Sequence, residues 1–260
     1  MPALRALADL LAAEKRSEEA AELYKQVIAA QPGYFQPRLE LGVFYYFRGM
    51  YAEAEAELSR AIVIAPQLAQ ARQNLAAVLV DTGQYTRAEQ ELQQALTFER
   101  TADTLAGMGS LLAYQGRHAE SAYHYEQAVA LGPEDYLLLS NLADSYRRTG
   151  RGNDAHATYA KALAAALREL NLNPSDAYTR SYIAYLHARL GHGAAAEREI
   201  RAAIAAAPGN GKVLKRAILL FHALGRGEEA LAFWRAAPPA VASELKRHPD
   251  LAGSFPGARL

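Results

Sequence analysis

Glycine returns along this chain at Gly49, Gly83, Gly116, Gly150, Gly191 and Gly225, at intervals of 34, 33, 34, 41 and 34 residues. Proline keeps a second count at Pro32, Pro66, Pro133, Pro174 and Pro208. Its one interval of 67 spans two periods, with Arg100 standing where a proline would fall. Five residues after each glycine sits a small residue: Ala54, Ala88, Ser121, Ala155, Ala196 and Ala230. Four further on sits a large one: Leu58, Leu92, Tyr125, Tyr159, Ile200 and Trp234. A chain punctuated in this way is built of units that bury their apolar faces only against their neighbours.

Within a unit the apolar spacing is helical. Leu75, Ala76 and Leu79 form one stripe, Gly83 interrupts it, and Ala88, Leu92 and Ala95 form the next. Steps of three and four describe amphipathic helices. A glycine between them supplies the left-handed residue that ends the first helix. The small residues let two helix axes approach to about 8–10 Å. No segment alternates with period two for long enough to make a strand, so the predicted fold is all-α.

At these residues the chain resembles the tetratricopeptide repeat (TPR) family, whose helix–turn–helix pattern of 34 residues runs large-x-x-Leu-Gly-x-x-Tyr, then Ala, an aromatic or Leu, Ala and Pro. The second unit carries Leu41, Gly42, Tyr45, Gly49, Ala54, Leu58, Ala61 and Pro66. The fifth carries Leu142, Ala143, Tyr146, Gly150, Ala155, Tyr159 and Ala162. The resemblance implies a right-handed α-solenoid of about seven repeats over 1–34, 35–68, 69–101, 102–135, 136–176, 177–210 and 211–237. The first unit, with Leu4, Leu7, Ala8 and Leu11, has Lys15 at the turn glycine. Residues 238–247 are expected to cap the stack with Val241 and Leu245 facing inward, and 248–260 to form a loose tail. A chain that opens on a repeat residue is expected to be part of something longer. Between Ala162 and Pro174 lie seven residues more than in the other units, close to two helical turns. The 163–173 segment is therefore expected to lengthen one helix by about 10 Å, either as a harmless extension, as a ridge that meets a partner or as a pivot between repeats 1–5 and 6–7.

Chemistry is sparse. Zero Cys excludes disulfides, thiol catalysis and thiolate metal sites. Nucleotide, zinc-protease and serine-hydrolase motifs are all missing. None of the seven histidines shares a helix face with another at i, i+4, and His187 takes its unit's large core position. Glu53, Glu55, Glu57, Glu228 and Glu229 stand at helix starts, where they complement the dipole as a solvated face. No enzymatic activity, cofactor or metal is expected. With 28 Lys+Arg against 28 Asp+Glu, the zero net charge argues against a nucleic-acid binder. No apolar run spans a membrane, and a cytoplasmic location is expected.

Binding is what remains. The resemblance implies that the first helix of each unit lines a concave groove. Its C-terminal half gathers Asn141, Arg147, Arg148, Tyr178, Tyr182, Tyr185, Arg189, Lys212, Lys215 and Arg216. Its N-terminal half holds Tyr46, Phe47, Asn74 and Tyr114 as a secondary site. Tyrosine and arginine anchor interfaces, and basic groups recognise carboxylates. The expectation is a non-enzymatic interaction scaffold whose residues 140–216 take a protein or peptide that is acidic or ends in a carboxylate. In the competing arrangement the arginines lie over the tyrosines and pair with Asp144 or Glu197. The family's carboxylate clamp for chaperone tails is incomplete, because Lys212 and Arg216 fit it but Ser140, Asp144 and Tyr182 do not. An asparagine ladder, as in another branch of the family, reaches only Asn74 and Asn141. The alternative function is the regulatory or oligomerisation part of a larger bacterial kinase or transcriptional regulator, contacting its own missing domain.

Overall fold

The computed structural model describes residues 7, 10, 11, 16–132, 134–246 and 251. Leu4, Ala8, Lys15 and all of the 248–260 tail except Leu251 lie outside the described residues. Among the described residues there are fourteen helices and no strand. The fold is an all-α solenoid. The chain divides into two compact units, Met1–Gly132 and Pro133–Leu260.

The first unit holds α1 (Ser17–Ala30), α2 (Gln36–Tyr46), α3 (Tyr51–Ile64), α4 (Ala69–Asp81), α5 (Tyr85–Phe98), α6 (Ala102–Tyr114) and α7 (His118–Leu131). The second holds α8 (Tyr136–Arg148), α9 (Gly152–Leu172), α10 (Ala177–Arg189), α11 (Gly193–Ala206), α12 (Gly211–Ala223), α13 (Gly227–Ala236) and α14 (Pro239–Lys246). From α2 to α13 the helices pair as hairpins, α2 with α3, α4 with α5, and so on. Leu41, Leu58, Leu79, Leu92 and Leu111 fill the first core, and Ile200, Phe221 and Trp234 stand in the second.

Each hairpin turns by the same hydrogen-bonded device. The turn glycines have φ between 72° and 80°, the left-handed region that L side chains resist. Each glycine amide donates three residues back, as Gly116 does to Ala113, and the next amide donates five back, as Arg117 does to Leu112. That pair of bonds is the Schellman motif, which satisfies carbonyls the helix end would leave open. The residue after the glycine then opens the second helix, so it packs on the residue five before it. Arg151 lies 4.0 Å over Tyr146 and Arg226 5.4 Å over Phe221. Four of the first helices are instead capped by side chains, with Thr101, Asp135, Asp176 and Asn210 each accepting an amide of the first turn, whereas α2 and α4 have no side-chain cap.

Not all of the glutamates expected to complement helix starts do so, because Glu57 lies midway along α3, and several do more than face solvent. Glu57 takes Arg38 at 2.8 Å, Glu91 takes Arg72 at 2.6 Å and Glu199 takes Arg180 at 3.0 Å, the same position in three hairpins. Glu55 pairs with Arg87, and Glu229 with Arg201 and Arg226. Many of the charges thus tie helices together. Helix α9 has 21 residues where α3, α5, α7 and α11 have 14. Ala165, Ala166 and Leu170 in its extra turns are buried, while Leu172 is exposed. Helix α14 lies on α12, with Leu245 fully buried beside Leu251 and the core of the last hairpin.

Candidate functional site

In the second unit the side chains of α8, α10 and α12 meet in two connected groups. The first is centred on Asp144 of α8. Its Oδ1 accepts the Tyr159 hydroxyl at 2.5 Å, and the Tyr185 hydroxyl approaches both oxygens at 2.6 and 2.5 Å. The Arg147 and Arg189 guanidiniums each stand 3.8 Å from the same oxygen. Burial, then the neighbouring carboxylate, pushes the Tyr159 phenol up to about 12 and the Tyr185 phenol well above its ordinary value. Both hydroxyls therefore stay protonated and donating. Arg189 also lies 4.9 Å over the Tyr185 ring. Two of the expected basic residues thus spend charge on a carboxylate of their own chain.

The second group is aromatic. Tyr182 meets Tyr178 at 5.2 Å, Tyr136 at 5.3 Å and Tyr185 at 6.4 Å between ring centroids, all edge to face. Arg216 of α12 lies 3.5 Å over Tyr182 and 4.7 Å over Tyr178, and donates to Ser181 Oγ at 2.7 Å. Lys212 Nζ sits 5.4 Å from the Tyr178 ring centre. Burial leads the forces that raise the Tyr182 phenol to about 12, against the lowering pull of Arg216. Tyr178, Tyr182, Tyr185, Arg189, Lys212 and Arg216 thus belong to one continuous patch. Asn141 and Arg148 are exposed on α8, and Lys215 is half-buried on α12. Sequence reasoning missed Tyr136 and Ser181. Tyr136 opens α8, at a helix entry that the family's groove positions leave out.

The first unit gathers its own aromatics. Tyr46 meets Phe47 at 5.4 Å and Tyr51 at 6.1 Å. The Tyr46 phenol is raised first by burial and then by Asp81, with Tyr51 and Tyr114 close enough to add to the effect. Phe47 and Tyr114 are 78% and 70% exposed, and Asn74 is half-buried on α4. Tyr51 was absent from the sequence-based set. His187 and His192 form a further pair across a turn, with Nδ1 atoms 3.4 Å apart. Among the described residues no group of three or more His, Asp or Glu side chains could hold a metal ion, and no helix is long and apolar enough to cross a membrane.

Tetratricopeptide repeat models match residues 11–68, 68–100 and 107–177. Among solved structures, a tetratricopeptide repeat protein from Parabacteroides merdae superposes with a TM-score of 0.66 at 14% identity, covering 94% of this chain and 96% of that one. A chain of the APC/C Cut9–Hcn1 hetero-tetramer gives 0.64 at 17% identity, over 86% of this chain and only 44% of its own length. PilF of Pseudomonas aeruginosa gives 0.55 at 23% identity, over 82% and 90%. At such identities the likeness is one of fold. No curated protein matches the sequence.

Proposed function

Because this chain belongs to the tetratricopeptide repeat family, we propose that it is a non-enzymatic protein-interaction scaffold whose second unit binds an extended acidic segment of a partner. The observation that carries this is Arg216, fixed over Tyr182 and Tyr178 and tethered to Ser181, with Lys212 beside it. A guanidinium presents five donors in a rigid fork that suits a carboxylate, and stacking on tyrosine sets its orientation before a ligand arrives. Preorganisation of this kind lowers the entropy lost on binding. Arg147 and Arg189 act differently: held on Asp144, they brace the tyrosines on which the ligand would lie.

Titration calorimetry with an acetylated, amidated octapeptide alternating aspartate and serine tests this directly. The wild type should bind saturably. Lys212→Glu/Arg216→Glu should lose at least about tenfold in affinity, the cost of truncating a charged anchor. Freeing the peptide's carboxyl terminus should tighten binding if a terminal carboxylate is the preferred group. Equal binding by wild type and variant would remove the function from this patch.

A further inference from the structure

Within the first unit the first helices of successive hairpins are neighbours, α2 beside α4 and α4 beside α6. Equivalent positions therefore form a row. Two residues before each turn glycine, that row reads Phe47, Asp81 and Tyr114 in the first unit and Arg148, Arg189 and Ala223 in the second. The sign of the position reverses between units, as does the sign of the units themselves. Residues 1–132 carry 11 Lys+Arg and 16 Asp+Glu, and residues 133–260 carry 17 and 12, giving −5 and +5.

The exposed side chains of the first row share one electrostatic preference. Phe47 and Tyr114 hold large rings in solvent, and Asp81 is exposed between their positions in the row. Tyr46 joins them, with Asp81 near enough to raise its phenol and its ring against Phe47 and Tyr51. An aromatic face is negative at its centre and attracts cations, so rings and carboxylate favour the same ligand charge. The second unit satisfies the same chemistry internally: Asp144 carries tyrosine hydroxyls, and Arg189 reaches both the carboxylate and the face of Tyr185. In the first unit Arg48 is stacked on Phe44 at 3.5 Å and Arg87 is paired with Glu55 at 2.8 Å.

We propose that Phe47, Asp81 and Tyr114, with Tyr46, form a second recognition site that takes an arginine or lysine side chain from an extended cationic segment of a partner. The site does not depend on the acidic-segment site of the second unit. The molecule would then read two ligands of opposite charge, one per unit.

The test is titration calorimetry of the full chain, at about 0.15 M salt, where charges beyond roughly 8 Å are screened. The probes are an acetylated, amidated octapeptide alternating arginine and serine, and its neutral citrulline counterpart. The arginine peptide should bind saturably and the citrulline peptide at least about tenfold more weakly. Asp81→Asn should cost about tenfold and Phe47→Ala about fivefold, in line with a charge pair and a cation–π contact. Glu99→Gln, which removes one exposed charge of the same unit away from the row, should change nothing, nor should Lys212→Glu/Arg216→Glu. Phe47 is largely outside the core, so its truncation should leave the melting temperature unchanged. Equal affinity for both peptides, or equal loss in Asp81→Asn and Glu99→Gln, would overturn the proposal. The aspartate peptide reports separately on the second unit, so failure of either site is visible without the other.

Discussion

A glycine can be required by its torsion or by its neighbours, and this chain separates the two cases. Gly116 has φ 76°, and a Cβ there would meet nothing within 4 Å. Gly42 sits within α2, and a Cβ would fall 2.6 Å from Leu58 Cγ. Gly116→Ala should therefore cost about 1–2 kcal/mol through backbone strain alone. Gly42→Ala should cost about 1–3 kcal/mol through overpacking. Urea denaturation of double variants distinguishes them: Leu58→Ala should relieve part of the Gly42→Ala penalty and none of the Gly116→Ala penalty. Histidine shows where the sequence falls silent at this scale. Burial, then His192, holds the His187 pKa below 6.5. The folded state thus takes up its proton later than the unfolded one, so the contribution to stability is complete above about pH 6.5 and falls as pH drops toward the folded pKa. Proton NMR titration should show that lowered value, and His192→Ala should raise it. The pairing runs i, i+5 across a left-handed turn, which no helix-face spacing would reveal.

The turns were legible because they are local: a positive φ needs glycine. Helix α9 shows what was half legible. Counting residues exposed the surplus between Ala162 and Pro174, but not which side of it would be covered. Ala166 and Leu170 are buried and Leu172 is 83% exposed, so only one side of the extra turns packs. Leu170→Ala should destabilise by about 2–5 kcal/mol, the range for removing buried leucine atoms. Leu172→Ser should leave the denaturation midpoint unchanged. The exposed Arg168–Glu134 pair, at 2.8 Å, should contribute less than about 1 kcal/mol, so Glu134→Gln is expected to be nearly silent. A Leu172→Ser variant as damaged as Leu170→Ala would mean that the far side of the extension also packs.

At the level of the whole molecule, zero net charge conceals two units of −5 and +5. The repeat register made the tyrosines and the basic side chains of the second unit legible as a group. It also offered the arrangement in which arginines lie over the tyrosines and pair with Asp144, but could not choose between that and free basic groups, because Tyr185 reaches Asp144 from 41 residues away in sequence. Charge that looks available in a repeat alignment is partly consumed by the fold. What survives should still be measurable, because ion-exchange resins sense local patches as well as net charge. At pH 7 and about 0.01 M salt, where the screening length is about 30 Å, the neutral chain should be retained on both cation and anion exchangers. Raising the salt to about 0.15 M should release it from both as that length falls to about 8 Å. Lys212→Glu/Arg216→Glu takes the second unit from +5 to +1 and should abolish retention on the cation exchanger alone. Flow-through on both resins at low salt would mean that neither unit presents a field strong enough to select a charged partner.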